Sequence, residues 1–475
     1  MPKEIVVYMC STICNFLSDI NSLLWGDFTL IIVLFAAVFL SIRCRFIYIL
    51  HPVKVLKYTL FSKEVDNDSD RCTMTNFQTL TTALAASMGT GNIIGVAAAI
   101  SIGGAGAVFW MIVSAFFVMS FAFTENALAT IYKNRSGSSN ASGPLPYLRS
   151  VFGSDKIALI FSTVCMCASF IIGNITQVSS AADSLDNFHI SKPMCGIIFA
   201  VLTAVTVLCR RTNIAAVTEK LVPFAACFYI VGSLIVILLY GNNITDILTE
   251  IITSAFGIKQ FSGGIFGCSL AQTISVGVRR GLFSNEAGMG TSTFAHTSSK
   301  CKEPVVMGFW AALEVFIDTV LLCTLTALVI LCTGADKLDF SAADTVISAF
   351  TFGFETAANK LSFLSKFSTS FAHFGAIFLA ISNSVFAFAS VIGWYFYGER
   401  SCCFLQKNSS KRLLPYYKFL YISAAFFGAV INTDIVWELA DLFTFLMLIP
   451  NLSAILLLSS QIKPFLTLNS SNSYT

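Results

Sequence analysis

The sequence predicts an all-α integral membrane protein with eleven transmembrane helices, the last ten of which form two inverted blocks of five. The first observation is compositional: 56% of the 475 residues are hydrophobic and 12% are charged, whereas a soluble domain carries roughly 25% charged residues. The second is an alternation of basic loops along the chain. The third is a helix-breaking polar cluster that occurs in two apolar segments, five segments apart.

Eleven stretches of the chain are long and apolar enough to cross ~30 Å of hydrocarbon. In order, they are residues 28–50, 77–102, 108–131, 157–181, 194–209, 221–240, 263–298, 305–331, 371–397, 416–431 and 435–459. The seventh span is the least apolar, because it contains Arg279, Arg280, Asn285 and Glu286.

Basic residues predict the orientation of these spans. The loops that follow spans one, three, five, seven and nine carry 20 of the 29 Lys and Arg residues. Because cytoplasmic loops carry the excess of basic residues, we expect the N-terminus outside and the C-terminus in the cytoplasm. Without span seven, the basic loop after span nine would lie on the opposite side from the others, so that span is kept.

The first span is too long for a cleavable signal peptide, and its arginines follow it instead of preceding it. The expected location is a cell membrane, and a single chain without a targeting extension suits the inner membrane of a bacterium. The net charge of +3 is too small to favour a nucleic-acid partner.

Span two contains the stretch ALAASMGTGNIIGVAAAI, in which Gly89 to Asn92 interrupt an apolar helix. Glycine costs about 1 kcal/mol in a helix interior, and unpaired backbone groups are tolerated at membrane depth only where they line a cavity or are buried in protein. The interruption therefore predicts a cavity near mid-bilayer. Span seven repeats the pattern in RRGLFSNEAGMGTSTFAH, with glycines around Ser284 to Glu286.

An offset of five spans means that the second block crosses the membrane inverted relative to the first, as in transporters built from inverted repeats. The predicted divisions are a tail with the first helix and a cytoplasmic loop (1–76), a first repeat (77–240), a second repeat with an external loop at 332–370 (241–459), and a cytoplasmic tail (460–475). Close helix packing at Gly91-x-x-x-Gly95 is the alternative. Thr90, Asn92 and the second occurrence favour the cavity.

Four carboxylates lie inside spans, and each is a candidate functional residue: Glu125, Glu286, Glu314 and Asp318. The predicted ion-pair and gating residues are Arg280, Glu286 and Asp318. A structural ion pair between Arg280 and Asp318 is favoured over direct proton handling, and Glu125 is expected near the cytoplasmic interface. The four histidines are isolated in the sequence, and it holds no nucleophile motif or metal-binding cluster, so an enzyme is not expected.

Six stretches of the sequence resemble the alanine/glycine:cation symporter family, also called sodium:alanine symporters. They are TALAASMGTGNIIGVAAAISIGGAGAVFWM, SGPLPYL, IIGNITQV, GLFSNEAGMG, FIDTVLLCTLTALVI and FAFASVIGWYFYGER. The resemblance runs from about Trp25 to Ser460. It implies the inverted-repeat fold of leucine-type transporters with one extra N-terminal helix, and inward symport of alanine or glycine with Na⁺ by alternating access.

The resemblance also implies roles for single residues. The expected substrate-binding residues are Gly89, Thr90, Gly91, Asn92, Gln177, Phe283, Ser284, Asn285 and Trp394. Among them, Phe283 and Trp394 would be aromatic walls that limit the pocket to small side chains. The expected sodium ligands come from Gly89, Asn92 and Ser390. Na⁺ would be the coupling ion, with no organic cofactor and no other metal.

Three positions depart from the family pattern: Ala389 stands where a second hydroxyl precedes Ser390, Ser179 replaces an asparagine, and a lysine usual in span three is replaced around Ala122. These departures leave the coupling ion and the amino acid open. Proton coupling through Asp318, Glu286 or Glu125 is the first alternative. A channel or an amino-acid sensor is the second alternative. The lack of a filter-like segment argues against a channel, and the lack of a soluble output domain argues against a sensor.

Overall fold

The computed structural model describes residues 3–61, 74–136, 142–208, 214–257, 266–338, 340–360, 368–408, 412–431 and 433–466. Almost all of them lie in helices. These are α1 (Lys3–Leu24), α2 (Asp27–Arg43), α3 (Ile47–Leu50), α4 (Pro52–Tyr58), α5 (Asn76–Ser87), α6 (Ile94–Gly103), α7 (Gly106–Ser136), α8 (Leu145–Phe152), α9 (Asp155–Phe170), α10 (Thr176–Asp186), α11 (Lys192–Leu208), α12 (Ile214–Leu239), α13 (Ile244–Ala255), α14 (Phe266–Asn285), α15 (Thr293–His296), α16 (Pro304–Val315), α17 (Thr324–Thr333), α18 (Ala342–Lys360), α19 (Ser368–Asn408), α20 (Leu414–Gly428) and α21 (Thr433–Leu458).

Six helical stretches in the described ranges are long and apolar enough to cross a membrane. They are Gly106–Ser136, Asp155–Asp186, Ile214–Leu239, Pro304–Thr333, Ser370–Lys407 and Ile435–Phe465. The pair Thr12–Leu24 and Asp27–Arg43, bent by 46°, is a seventh candidate. Large apolar side chains such as Phe224 and Leu457 are exposed on these helices, and extensive apolar surface of this kind is unfavourable in water. The chain is a multi-pass membrane protein.

The helix that corresponds to predicted span two is broken where the sequence predicts. α5 ends at Ser87, a short 3₁₀ turn follows at Thr90–Asn92, and α6 begins at Ile94. We refer to residues 88–93 as the first break.

The helix that corresponds to span seven is also broken, although its predicted start at Gly263 lies outside the described residues. α14 ends at Asn285 and α15 begins at Thr293. In this second break, residues 286–292, Gly288 and Gly290 have φ angles of 87° and 78°. Glycine adopts these left-handed angles without the steric cost that a side chain would bring.

Two long helices contain π-helical turns beside the breaks. One, Ile171–Ile175, joins α9 to α10, and the other, Phe316–Cys323, joins α16 to α17. A π turn holds one extra residue and is frequently found at functional sites. These two π turns orient polar residues of both long helices toward the breaks.

Close backbone approach brings α19 against the end of α5, just before the first break. A Cβ atom at Gly393 would lie 2.5 Å from the backbone nitrogen of Ala86, so only glycine fits this helix crossing. Ser390 and Trp394 are carried on the same part of α19 and thereby lie beside the end of α5.

The starting segment of α5 is tied to the segment that follows α15. Met74 and Ser299 form a parallel β-bridge, in which Met74 N donates to Ser298 O at 2.9 Å and Lys300 N donates to Met74 O at 3.2 Å. The two broken helices are therefore joined at the end of the molecule away from α6 and α14.

Two regions differ from a plain succession of spans. The residues before span one, expected to be a tail, form α1, whose Asn21 donates to Glu438 Oε2 on α21 at 2.6 Å. The predicted external loop at 332–370 contains α18, whose Phe350 packs on Phe378 of α19 with ring centroids 5.3 Å apart. Residues 339 and 361–367 of this connection lie outside the described ranges.

Candidate functional site

The first break is held by hydrogen bonds from two side chains. Gly89 N donates to Asn92 Oδ1 at 3.2 Å, and Thr90 N donates to Gln177 Oε1 at 2.9 Å. Gln177 is itself fixed, because its Nε2 donates to Ile172 O at 3.1 Å, a carbonyl of the π turn. The predicted site residues Gly89, Thr90, Asn92 and Gln177 are thus brought together.

One polar group in the first break has no partner. The hydroxyl of Thr90 is fully buried and makes no hydrogen bond, a state that costs about 1–3 kcal/mol in a protein interior. Beside it, a Cβ atom at Gly91 would meet nothing closer than Phe283, at 3.9 Å. Gly91 therefore leaves room for a methyl group against the Phe283 ring, and the unpaired hydroxyl next to it can bind a small polar ligand.

Asn92 connects the first break to the π turn between α16 and α17. Its Nδ2 donates to Asp318 Oδ1 at 2.7 Å and to Asp318 O at 3.0 Å, and its carbonyl accepts from Thr326 Oγ1 at 2.8 Å. Ser284 Oγ, from the end of α14, donates to Asp318 Oδ2 at 2.9 Å. Asp318 therefore bridges the two broken helices.

The predicted ion pair between Arg280 and Asp318 is not found among the described residues. The carboxylate of Asp318 is instead hydrogen-bonded by Asn92, Ser284 and Thr319. Arg280 lies one helical turn before Ser284, and the acidic residues that attract it electrostatically are Asp441 and Glu438 of α21. Its neighbour Arg279 forms the ion pair with Asp441, at 3.2 Å.

The remaining predicted residues lie in two places. Ser390 Oγ donates to Ala86 O at 3.0 Å, which puts a hydroxyl beside the last carbonyls of α5. Trp394 is fully buried and donates through Nε1 to Glu286 Oε1 at 2.9 Å, so it contacts the second break. Asn285 also serves the second helix, since its Nδ2 donates to Gly281 O at 2.7 Å.

The second break is filled by side chains of the protein. Glu125 Oε2 accepts from Gly290 N at 3.1 Å and from Asn451 Nδ2 at 2.8 Å, while Asn451 Nδ2 also donates to Gly288 O at 2.7 Å. Glu125 is 0% exposed, so its carboxylate is enclosed by the protein.

The histidines are not all isolated. His296 Nε2 lies 3.0 Å from Glu314 Oε2, and both side chains are buried. The pairing joins the end of α15 to α16.

Asn451 is a residue that the sequence analysis missed, and so is Tyr147, whose hydroxyl donates to Asn451 Oδ1. An asparagine inside an apolar span is itself a signal, because polar side chains at membrane depth need partners.

Aromatic residues cover the region where α14 meets α21. Phe283 packs on Trp437 with ring centroids 5.5 Å apart. Trp25 donates through Nε1 to Asp441 O at 3.1 Å, beside the Arg279 pair. An aromatic pair and an ion pair therefore lie together where α14 meets α21.

Comparison with known proteins agrees with this architecture. A sodium/alanine symporter of Methanococcus maripaludis, AgcS, is 33% identical over 455 residues, which cover 94% of this chain and 94% of that protein. A probable sodium/glutamine symporter of Bacillus subtilis, GlnT, is 33% identical over 443 residues, covering 92% and 87%.

Among solved structures, a mutant of a manganese transporter of Eremococcus coleocola is similar in fold, with a TM-score of 0.51, 14% identity, and coverage of 85% of this chain and 78% of that chain. Residues 10–470 match the sodium:alanine symporter family. A match over nearly the whole chain, together with the two relatives, shows that the protein belongs to the sodium:alanine symporter family.

Proposed function

We propose that the protein is a secondary active transporter that carries alanine or glycine into the cell together with Na⁺. The observation that carries the proposal is the buried hydroxyl of Thr90, which has no partner among the described residues and lies next to Gly91, where a methyl group fits against Phe283. The carboxylate of a small amino acid would accept a hydrogen bond from that hydroxyl.

The space at Gly91 also supports a small substrate. Phe283 is the nearest group to a Cβ placed there, and its ring is fixed against Trp437. A side chain of one methyl group or none fits beside such a wall. A larger substrate such as glutamine, which one relative's name gives for that protein, would require Phe283 to move.

A sodium site is proposed where α19 meets the end of α5. Na⁺ is a hard cation and takes oxygen ligands, as hard cations do in proteins generally. The hydroxyl of Ser390 and the carbonyl of Ala86, now hydrogen-bonded to each other at 3.0 Å, are two such oxygens, with Gly89 and Asn92 close along the chain. Because ion and substrate would share one unwound segment, each would improve the binding of the other, and the effect is reciprocal.

The transport cycle we propose uses eleven membrane-spanning helices in a five-plus-five inverted repeat (77–240 and 241–459) behind one extra N-terminal helix, with the N-terminus outside and the C-terminus in the cytoplasm. The broken helices would rock against the other helices to expose the first break to either side. The connection 332–370, with α18, would cover the outer opening.

Proton coupling is the second candidate, and the position of Asp318 favours it. This buried carboxylate touches Asn92 and Ser284, so a proton on it would act on the first break and on the end of α14. In Asp318→Asn the shape is retained, because an amide can accept from Asn92 and donate to Ser284. Sodium-driven uptake that survives this substitution would exclude an essential proton at Asp318.

The test is uptake of labelled alanine into proteoliposomes, with an inward Na⁺ gradient compared with an inward proton gradient at zero Na⁺. We expect accumulation with Na⁺ only. Ser390→Ala should raise the Na⁺ concentration for half-maximal uptake by about tenfold, corresponding to roughly 1.4 kcal/mol. Ser384→Ala is the matched control, since Ser384 Oγ bonds only Ala380 O of its own helix. Accumulation with protons alone would contradict sodium coupling, and no accumulation with either ion would contradict the substrate.

A further inference from the structure

Glu125 is a fully buried carboxylate whose known contacts all lie at the second break. It accepts from Gly290 N at 3.1 Å, from Ser292 Oγ at 3.4 Å and from Asn451 Nδ2 at 2.8 Å. No lysine or arginine forms an ion pair with it in the described part of the chain. A buried carboxylate is costly unless it is well hydrogen-bonded, so its presence calls for a specific use.

The segment that Glu125 holds has little stability of its own. α15 is only four residues long, Thr293–His296, and it follows a stretch with two left-handed glycines. A helix of this length is not stable in isolation. Its position is therefore set by contacts with other elements.

Those contacts come from α7, from α21, from α16 through the His296–Glu314 pair, and from the loop before α8. Glu125 on α7 and Asn451 on α21 bind the start of the segment, and Asn451 is held in turn by Tyr147 of α8. At its far end, Thr297 Oγ1 accepts from Gly143 N at 2.9 Å. The segment is anchored at both ends.

We propose that Glu125 is a positioning residue that fixes the second half of the broken span seven and controls when that half is released during transport. The proposal rests on the proposed transport function. Both carboxylate oxygens are occupied by donors of the protein, so Glu125 takes at the second break the place that a substrate carboxylate takes at the first. It holds the helix and does not bind the substrate.

The two acceptor oxygens of Glu125 matter to this role. Ser292 Oγ donates to Glu125 Oε1 and already accepts from Asn126 Nδ2, so an NH₂ group in place of that oxygen leaves the Ser292 hydroxyl proton without its acceptor. Glu125→Gln keeps the size of the side chain, and its amide can accept from Gly290 N and donate to Ser292 Oγ. The substitution therefore weakens the anchor without emptying the site.

The experiment is hydrogen–deuterium exchange on the full chain in lipid nanodiscs, combined with alanine binding and uptake. For Glu125→Gln we expect amide exchange in peptides covering residues 287–299 to rise by about tenfold, while peptides covering residues 87–95 stay unchanged. Turnover per alanine-binding site should change by at least about threefold with the dissociation constant for alanine retained. Counting turnover per binding site removes any loss of folded protein from the comparison.

Two further variants test this result, one that weakens the same anchor less and one that serves as a control. Tyr147→Phe removes a single hydroxyl from the anchor and should raise exchange in the same peptides by less than Glu125→Gln does. Glu399→Gln is the matched control: that carboxylate accepts from Tyr395 at 2.7 Å, away from the break, and its removal should leave peptides 287–299 unchanged.

Exchange that stays at the parent rate in Glu125→Gln, or that rises equally in residues 87–95, would overturn the anchoring. Unchanged turnover per binding site would overturn the control of release. If the parent chain binds no alanine, the proposed function fails, and the exchange comparison alone then decides whether Glu125 anchors the segment.

Discussion

The two broken helices follow the same plan but are completed differently. In the first break, the hydroxyl of Thr90 is buried with no partner among the described residues, and a methyl group at Gly91 would only touch the Phe283 ring. In the second, Glu125 and Asn451 bind the freed backbone groups of Gly288 and Gly290. The same sequence pattern is therefore completed in two different ways. The break that the protein leaves incomplete is the better candidate for ligand binding.

Asp318 contacts the first break and the end of α14, which leads into the second break. Asn92 comes from the first break and Ser284 from the end of α14, and they donate to opposite oxygens of this one carboxylate. A change at one break can therefore be transmitted to the other through a single side chain.

The largest expected effect comes from adding a methyl group to each break. Gly290→Ala places a side chain at a φ of 78°, with its Cβ 2.9 Å from Asn451 Oδ1, so we expect a loss of about 2–3 kcal/mol of stability. Gly91→Ala meets nothing within 3.8 Å and should cost under about 1 kcal/mol. Thermal unfolding in detergent measures both.

The same pair of variants also tests the substrate site. The methyl group of Gly91→Ala enters the space beside Phe283, so alanine uptake should fall more than glycine uptake. If Gly91→Ala unfolds the protein as severely as Gly290→Ala, the contrast between an open and a filled break is wrong.

A second, smaller effect is expected from removing a hydroxyl at each broken helix. Thr90→Val removes the unpartnered group, so stability should be retained or increased, while the dissociation constant for alanine should rise by about tenfold. Thr297→Val removes a hydroxyl that accepts from Gly143 N and donates to Thr293 O. It should lose about 1–3 kcal/mol of stability and bind alanine normally. We therefore expect Thr90→Val to change alanine binding without a loss of stability, and Thr297→Val to change stability but not binding. The same change in both variants would contradict the difference between the two breaks.

The smallest effect concerns Gly95 of α6. A Cβ atom there would meet nothing within 4 Å, so the alternative of close helix packing at Gly91-x-x-x-Gly95 finds no neighbour at this position. Gly95→Ala should stabilise the protein by about 0.5–1 kcal/mol, the helix-propensity difference. A lower unfolding temperature would restore the packing explanation.

The position of both breaks could be predicted from the sequence, because glycine and small polar residues inside an apolar helix are local signals. The meeting of Thr90 with Gln177, 87 positions apart, followed from the family resemblance. Local composition alone does not contain such a contact.

Contacts between distant carboxylates and their partners could not be predicted. Glu125 and Asn451 are 326 positions apart, and nothing in either span specifies the other. Arg280 was paired with Asp318 on charge alone, whereas the depth of each residue along its helix decides the pairing. Arg280 lies a turn away from the level that Ser284 shares with Asp318.

The π turn at Phe316–Cys323 fixes which residues of its helix face Asn92. Asp318 and Thr326 both bond Asn92, although they are eight positions apart. Two turns of an ordinary α-helix take about 7.2 residues, so eight residues would overshoot one face, and one extra residue raises the repeat to about 8.2. The chain thus carries an insertion whose rotation aligns two polar contacts on one residue, with Asp318 at the side-chain amide of Asn92 and Thr326 at its main-chain carbonyl. Deleting a single residue from this turn would turn everything after it by about 100° and leave only one of the two in place.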